Sequence, residues 1–260
     1  MFHSGVCGGE VFPGEPDYFD KEVHFFNQPD RYVKGSDFYA KRFEHCRGSQ
    51  FIMDATPNYF NEAEKIHKLY SQPGLQEHRK ELKIILILRE PISREISMYK
   101  HEVLEYSQNP ELHAWYGDVA RRDGSVRTAD EFLRVTVRQK LVNPAYPNFS
   151  LYADHLKNWI KYFSRDQLLI LSNDELNKDP STFESRIEAF LGAKFESTME
   201  HVNTSEHSKA KTTITCDTEK LLLDLLEPKD QELYDLLKAN PGPPMEQTPF
   251  PPFVTSGCTI

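Results

Sequence analysis

The sequence predicts an α/β protein with a mostly parallel sheet flanked by helices, and three stretches of the chain support this. Residues 84–88 are apolar without a break, which is typical of a strand buried on both faces. After Pro91, apolar residues recur at helical spacing, so a helix is predicted to follow this strand. Residues 51–56 and 168–171 also have the character of buried strands. Strands buried on both faces are typical of a parallel sheet covered by helices.

The composition is that of one large domain, and it argues against several classes of protein. The chain has 260 residues, which is enough for a buried core, and a formal net charge of -9. That charge argues against general nucleic-acid binding, which usually requires a basic domain. No run of about eighteen apolar residues is present, so no membrane span is predicted. The four cysteines lack metal-site spacing and do not require a disulfide framework.

Three parts of the chain differ in composition. Residues 1–20 are rich in glycine, proline and acidic residues without periodicity, and are predicted to be irregular. Residues 21–240 carry the strand and helix patterns and form the predicted domain. Residues 241–260 form a tail that is rich in proline up to residue 252, which excludes a helix there and predicts an extended arm.

The junction between the strand at residues 84–88 and the following helix is a candidate anion site. Arg89 follows the strand directly, and ligands of open α/β sheets bind beyond the carboxyl ends of strands. A helix N-terminus attracts phosphate, and an arginine can bind phosphate with two hydrogen bonds. Ser93 and Ser97 follow on the polar face of the helix. A surface ion pair is the alternative role of Arg89, and the residue types leave both roles open.

The segment Leu88-Arg89-Glu90-Pro91, followed by Arg94, Ser97 and Tyr99, resembles the 3′-phosphate-binding segment of sulfotransferases. These enzymes use PAPS (3′-phosphoadenosine 5′-phosphosulfate) as sulfate donor. The resemblance is greatest to the heparan sulfate glucosaminyl sulfotransferases and covers most of the chain. It implies that Arg89 and Ser97 bind the 3′-phosphate of the donor. It also implies a fold related to that of P-loop nucleoside triphosphatases, and no metal.

The stretch Glu22-Val23-His24-Phe25-Phe26 is similar to a Glu-Val-His-Phe-Phe segment of the same enzymes. The similarity implies that Glu22 acts as the general base on the acceptor hydroxyl, with His24 beside it. The residue pattern predicts an extended segment in which residues 22, 24 and 26 share one side. An edge strand with a solvated glutamate and histidine is the alternative.

Three further residues fall where the resemblance implies contact with substrate. Thr56 and Tyr59 belong to a segment similar to the family's Glu-Lys-Thr-Pro-x-Tyr, and Tyr152 belongs to a segment similar to Ser-x-Tyr. Three positions depart from the family pattern. Asp54 stands in place of the glutamate, Ala55 in place of the lysine, and Asn27 where some relatives have an aspartate. The changes at residues 55 and 27 reduce the similarity to enzymes that act on heparan.

Two other stretches bear on how the donor is held. Lys209 and Lys211 fall where relatives have a basic loop over the donor's adenine and 3′-phosphate, although an exposed polar loop is the alternative. The family's Lys-x-Gly-Thr-Thr loop, which holds the 5′-phosphosulfate, is not found, because the glycine-rich residues 5–9 lack its lysine. The fold is therefore expected to lack the first strand, loop and helix and to expose the flank of residues 51–56. The chain is expected either to be a truncated form or to have lost the loop.

The sequence therefore predicts a PAPS-dependent sulfotransferase that transfers a sulfuryl group to a hydroxyl or amine, on a carbohydrate acceptor. An inactive sulfotransferase-like module that binds a nucleotide or glycan is the alternative. A nucleotide-dependent kinase is disfavoured because GxxxxGK[ST] is absent. The resemblance implies the Golgi lumen or secretory pathway, although no signal peptide is seen.

Overall fold

The computed structural model describes residues 6–10, 22–108, 118–142, 150–195 and 212–254. Within these ranges the strands are β1 (Val6–Gly8), β2 (Phe51–Met53), β3 (Ile84–Leu88) and β4 (Leu168–Ser172). The α-helices are α1 (Pro29–Tyr32), α2 (Ser36–Ala40), α3 (Ala63–Tyr70), α4 (Gln76–Glu81), α5 (Pro91–Gln108), α6 (Ala129–Val142), α7 (Tyr152–Tyr162), α8 (Asn173–Lys178), α9 (Pro180–Leu191) and α10 (Cys216–Ala239). Short 3₁₀ helices cover Lys41–Cys46, Pro57–Asn61 and Arg165–Gln167.

The strands of the described residues form two parallel pairs. β1 lies beside β2, with Val6 opposite Phe51. β3 lies beside β4, with Ile84 opposite Leu168. β4 is buried along its whole length, so both of its faces are covered. The α/β class with parallel strands is therefore confirmed, and its strands hydrogen-bond as two pairs within these ranges.

The expectation of a missing first strand and an exposed β2 flank is wrong, because Val6–Gly8 is a strand beside β2. A hydrogen bond from Gly9 N to Met53 O (3.0 Å) extends this pairing. A disulfide between Cys7 and Cys46 ties β1 to the 3₁₀ helix that precedes β2. A strand of three residues is too short to produce a periodic pattern, which is why the sequence predicted an irregular segment.

Glycine is required where the chain leaves β1. A Cβ atom at Gly9 would lie 2.5 Å from side-chain atoms of both Phe43 and Val23. Atoms of a close-packed interior do not approach one another so closely, so only glycine fits. The end of β1 therefore packs directly against the segment that carries Glu22.

The longer helices agree with their sequence patterns, while one shorter prediction is wrong. α5 begins at Pro91, and α9 ends at Leu191, followed by Gly192, whose left-handed φ of 71° is typical of a helix C-cap. Aromatic residues recur between residues 31 and 46, a pattern that predicts one short helix. They form α1, α2 and a 3₁₀ helix instead, and Gly35 (φ 82°) interrupts the helix between α1 and α2. No helix in the described ranges is long and apolar enough to cross a membrane.

The largest apolar core of the described residues joins β3 and β4 to the helices that cover them. It contains Leu88 of β3, Ile170 of β4 and Trp159 of α7, all buried. Val23 and Phe25 belong to the same core and are fully buried. The segment that carries Glu22 is therefore anchored in the main core on alternate residues.

The proline-rich C-terminal segment packs on the domain. Residues 241–254 are not helical, as predicted, but Phe250 lies in the main core. The Glu246 carboxylate accepts hydrogen bonds from the backbone N–H of Ile170 in β4 (2.8 Å) and from Arg165 (2.6 Å). A Cβ atom at Gly242 would overlap both partners of this ion pair, so glycine permits the arrangement. The segment predicted as an extended arm therefore packs on the domain as far as residue 253.

Candidate active site

The segment from Glu22 to Phe26 is irregular, although the sequence predicted an extended, alternating conformation. Residues 23 and 25 are buried and residues 22 and 24 are partly exposed, as predicted. Phe26 is buried as well, against the prediction. The reason is the backbone of His24, whose φ of 52° is rare for a residue other than glycine. The alternation ends at His24 because the chain turns there and directs Phe26 into the core.

Glu22 and His24 lie side by side, as the resemblance implied. His24 Nε2 is 3.2 Å from Glu22 Oε2, and the two side chains are 13% and 17% exposed. On the other side of the ring, the amide nitrogen of Asn27 lies 3.1 Å from His24 Nδ1. An amide nitrogen donates, so Nδ1 accepts this bond, and the other ring nitrogen, Nε2, faces Glu22. The arrangement is a partly exposed carboxylate with an oriented imidazole.

The backbone amides of this segment donate hydrogen bonds to side chains and not to a neighbouring strand. The bonds run from Val23 N to Asp54 Oδ1 (3.4 Å), from His24 N to Thr56 Oγ1 (3.2 Å) and from Phe25 N to Tyr59 OH (2.7 Å). In a sheet, backbone carbonyls would accept these bonds. The residues that follow β2 therefore take the place of a strand partner.

Asp54 connects the members of this network. Its Oδ1 accepts a hydrogen bond from the Thr56 hydroxyl (2.7 Å), and its Oδ2 accepts one from the Tyr39 hydroxyl (3.0 Å). Burial raises the pKa of Asp54, although hydrogen bonds from these neighbours act in the opposite direction. Burial, followed by the charge of Asp54, raises the pKa of Tyr59. The Tyr59 hydroxyl therefore stays protonated and neutral at physiological pH.

The three residues predicted to bind substrate all face the protein backbone. Thr56, Tyr59 and Tyr152 are 5%, 8% and 4% exposed. The Tyr152 hydroxyl donates to the backbone carbonyl of Arg89 (2.7 Å), and burial raises the pKa of Tyr152. Each hydroxyl thus contacts the main chain of a segment that carries a predicted catalytic or donor-binding residue.

Arg89 lies at the carboxyl end of β3 and its side chain is exposed. No residue in the described parts of the chain forms a hydrogen bond or ion pair with its guanidinium group. Ser97 is partly exposed and lies roughly two turns into α5. Both side chains are therefore available to an anion, and their binding to the donor's 3′-phosphate stays a prediction.

The N-terminus of α5 is not available to a phosphate, contrary to expectation. The buried carboxylate of Glu90 accepts hydrogen bonds from the amides of Ile92 (2.9 Å) and Ser93 (2.6 Å). These amides are among the unpaired donors that make helix N-termini attractive to phosphate. An anion at this junction would therefore bind the Arg89 and Ser97 side chains and not these two amides. The sequence signal was an acidic residue directly before the proline that begins the helix.

A second carboxyl group with an unusual environment lies near Glu90. Burial, then the negative charges of Glu90 and Glu227, raise the pKa of Asp230 in α10 to about 7. Asp230 lines a groove of about 590 Å³ together with Tyr234 and Phe253. No sequence pattern indicates this group, because Asp230 occupies an ordinary polar position of the helix.

Neither the two lysines predicted to contact the donor nor a metal-binding group adds to this site within the described residues. Lys209 and Lys211, predicted to contact the donor, lie outside the described residues. In the ranges that the structure describes, Cys7, His45 and Cys46 form the group of side chains close enough to hold a metal ion. Both sulfur atoms are joined in the disulfide, so neither is a thiolate ligand.

The fold and the site define an α/β protein with a carboxylate–imidazole pair and a strand-end arginine that is free to bind an anion. The sulfotransferase domain family matches residues 14–225. The chain belongs to the sulfotransferase family, which confirms the family predicted from the sequence.

Similar proteins support this assignment. Heparan sulfate glucosamine 3-O-sulfotransferase 5 from Mus musculus is 28% identical over 173 residues, which are 66% of this chain and 44% of that protein. Heparan sulfate glucosamine 3-O-sulfotransferase 6 from Mus musculus is 29% identical over 181 residues, 69% of this chain and 46% of that protein. The chain thus spans less than half the length of these relatives.

A solved structure supports the fold. The crystal structure of a sulfotransferase from Alicyclobacillus acidocaldarius matches with a TM-score of 0.59 and 19% identity. The match covers 91% of this chain and 87% of the other. The sulfotransferase fold predicted from the sequence is therefore confirmed.

Proposed function

We propose that this protein transfers a sulfuryl group from PAPS to a hydroxyl or amine of a carbohydrate. Membership of the sulfotransferase family supports the chemistry. The similarity to proteins named as heparan sulfate glucosamine sulfotransferases supports a carbohydrate acceptor. The observation that carries the proposal is the Glu22–His24 pair, whose carboxylate is partly exposed and lies 3.2 Å from the imidazole.

Glu22 is the proposed general base. A carboxylate within hydrogen-bond reach of a hydroxyl can accept its proton as the oxygen attacks. The proton passes from the acceptor atom to a Glu22 oxygen while that atom bonds to sulfur and the sulfur–oxygen bond to the nucleotide breaks. His24 contacts the carboxylate from one side, with Nε2 at 3.2 Å from Glu22 Oε2. Bound PAPS supplies the sulfuryl group, and PAP (3′-phosphoadenosine 5′-phosphate) is the product.

Arg89 and Ser97 are the proposed ligands of the 3′-phosphate. The guanidinium group is exposed at the end of β3, with no partner among the described residues, which suits a phosphate that needs two parallel hydrogen bonds. Because Glu90 occupies the first amides of α5, the side chains supply the binding energy. Lys209 and Lys211 remain proposed contacts to the same part of the donor.

We place the protein in the lumen of the secretory pathway, with the Golgi as the compartment that the resemblance implies. The disulfide between Cys7 and Cys46 supports this placement. Disulfides persist in oxidising compartments and are rare in the cytosol.

A transfer assay tests the proposal. Labelled sulfate from PAPS is offered with a panel of glycans, and the wild-type protein is compared with Glu22→Gln. The variant should lose about 10²–10⁴ in rate while PAP affinity is unchanged, because the amide keeps the shape but not the basicity. Glu44→Gln is the control, since Glu44 is an exposed glutamate of the same region. No transfer by the wild type would contradict the function, and near-normal turnover of Glu22→Gln would contradict the role of Glu22.

A binding module without catalysis is the second candidate, favoured by one observation. The sequence contains no Lys-x-Gly-Thr-Thr loop. In the family that loop meets the charge that develops on the departing nucleotide, and losing one preorganised donor typically costs about 10²–10³ in rate. This candidate predicts that residues 1–260 bind PAP in calorimetry without turnover. Insertion of such a loop after β1 should then restore transfer, and robust transfer by residues 1–260 alone would exclude it.

A further inference from the structure

The Glu22–His24 pair lies on a segment whose backbone conformation depends on contacts with the rest of the domain. None of residues 22–25 is part of a strand in the structure, and His24 has a left-handed backbone with φ 52°. Such a conformation costs free energy for a residue with a side chain and persists where surrounding contacts impose it. The contacts that impose it therefore also set the direction of both proposed catalytic side chains.

Those contacts are the three side chains that follow β2. Three successive backbone amides, those of residues 23–25, donate hydrogen bonds to Asp54, Thr56 and Tyr59, at 3.4, 3.2 and 2.7 Å. The middle bond is made by the amide of His24 itself. Because a buried amide without a hydrogen-bond partner is unfavourable, each bond favours the observed backbone.

The accepting side chains are themselves fixed. The Thr56 hydroxyl donates its only proton to Asp54 (2.7 Å), and Tyr39 donates to the other oxygen of that carboxylate (3.0 Å). The ring of Tyr59 packs edge-on against Phe26, with ring centres 5.0 Å apart. Thr56 and Tyr59 are almost fully buried. Their hydroxyls therefore point at the main chain and are not exposed to a substrate.

We propose that Asp54, Thr56 and Tyr59 are positioning residues, which hold the backbone of residues 23–25 so that Glu22 and His24 face the acceptor. This assignment replaces the substrate-binding role that the resemblance implied for Thr56 and Tyr59, and it rests on the function proposed above. A residue that positions the base changes the rate of the chemical step. A residue that binds the acceptor changes its KM.

Steady-state kinetics of matched variants separate the two roles. Tyr59→Phe and Thr56→Val remove a hydroxyl at nearly constant volume. Each should lower kcat about 10–100-fold, since misplacing a catalytic group by about 1 Å has effects of this size. The KM for the acceptor and the Kd for PAP should stay within about twofold. Thr56→Ser keeps the hydroxyl and should restore most of the rate, which separates the lost hydrogen bond from a general loss of folding.

Amide hydrogen exchange tests the same inference without any turnover. The Phe25 amide should exchange at least about tenfold faster in Tyr59→Phe than in the wild type, because it loses its acceptor. Tyr32→Phe is the control. The Tyr32 ring also packs against Phe25, but its hydroxyl bonds to the carbonyl of Lys65. Exchange at Phe25 should therefore be unchanged in this variant.

The outcomes distinguish this inference from the proposed function. A wild-type protein that transfers no sulfate contradicts the function, and the exchange result then decides whether the side chains hold the segment. An increase of acceptor KM at constant kcat in Tyr59→Phe or Thr56→Val overturns the positioning role. Unchanged exchange at Phe25 in Tyr59→Phe overturns it as well, whether or not the protein is active.

Discussion

The two halves of the candidate site are held in different ways. Glu22 and His24 lie on an irregular segment whose amides bond to side chains, and their positions depend on a few specific contacts. Arg89 lies between a regular strand and a regular helix, and one side chain, that of Tyr152, holds its backbone carbonyl. The donor half is therefore positioned by secondary structure and one tertiary hydrogen bond, while the base half depends on tertiary hydrogen bonds for its whole conformation.

Mutations in the two halves should therefore have different effects. Changes near Glu22 should alter the rate or the local fold, because the segment has no regular structure of its own. Changes near Arg89 should alter nucleotide affinity and leave the rest of the domain intact. Four predictions sharpen or break this contrast.

Loss of the disulfide should lower the free energy of unfolding more than any other change proposed here. The destabilisation should affect the half of the site that carries Glu22 and His24. Cys7→Ser combined with Cys46→Ser opens a link across 39 residues, and removal of such links typically costs about 2–4 kcal/mol of unfolding free energy. Chemical denaturation measures this loss, with Ser49→Ala as a nearby exposed control. PAP affinity should change less than twofold. A parallel loss of PAP affinity in the folded variant would show that the halves are coupled.

Arg89→Ala should weaken PAP binding by about 1.5–3 kcal/mol, the range for hydrogen bonds to charged groups. AMP, which lacks the 3′-phosphate, should bind equally well to the variant and the wild type. Calorimetry with both nucleotides measures this, and Arg47→Ala removes an exposed arginine of the other half as a control. Equal affinity of the wild type for PAP and AMP would refute the assignment of Arg89.

Asp230→Asn should stabilise the protein in a pH-dependent manner. The pKa of Asp230 is raised to about 7, so between about pH 4 and pH 7 the folded state binds more protons than the unfolded state. Stability is therefore lost as pH rises through this window. At pH 8 the variant should be more stable by roughly 1–2.5 kcal/mol, after a discount for partial exposure, and the gain should largely disappear near pH 4.

Denaturation at the two pH values measures the difference for Asp230→Asn. Asp224→Asn is the matched control, because Asp224 lines the same groove but is exposed. An equal gain at both pH values would mean that the charge of Asp230 is not the cause.

Tyr152→Phe should have the smallest effect, a loss of about 0.5–1.5 kcal/mol in PAP affinity. The variant removes one hydrogen bond to the carbonyl of Arg89, and β3 and α5 still hold this residue. Titration calorimetry measures it against Tyr162→Phe in the same helix. A loss as large as that of Arg89→Ala would show that the donor half also depends on a specific tertiary contact.

The sequence predicted the strand and the helix on either side of Arg89 well, for a physical reason. The apolar run of β3 and the helical spacing of α5 are local patterns, and Arg89 is located by its place between them. The capping role of Glu90 was missed, although an acidic residue before Pro91 is the relevant signal. The prediction of a helix-terminus phosphate site failed because this carboxylate already fills it.

The base half was predicted only in part. Family resemblance located Glu22 and His24, but residue types do not show that His24 turns the chain or that side chains replace a strand partner. The bonds to the amides join residues more than thirty positions apart, and no local periodicity reports such contacts. β1 was missed for a related reason, since three residues gain their strand conformation only from pairing with β2.

The contact between Glu246 and β4 also satisfies a backbone amide of a strand. An edge strand with open amides is a template onto which a strand of another molecule can add. The carboxylate of Glu246 accepts a hydrogen bond from the amide of Ile170. It also forms an ion pair with Arg165, whose side chain is 12% exposed. A chain shortened to end with α10 would uncover that amide and leave the arginine without its carboxylate partner. The proline-rich tail thus covers this amide of β4. Its prolines cannot donate the hydrogen bonds that would extend the sheet further.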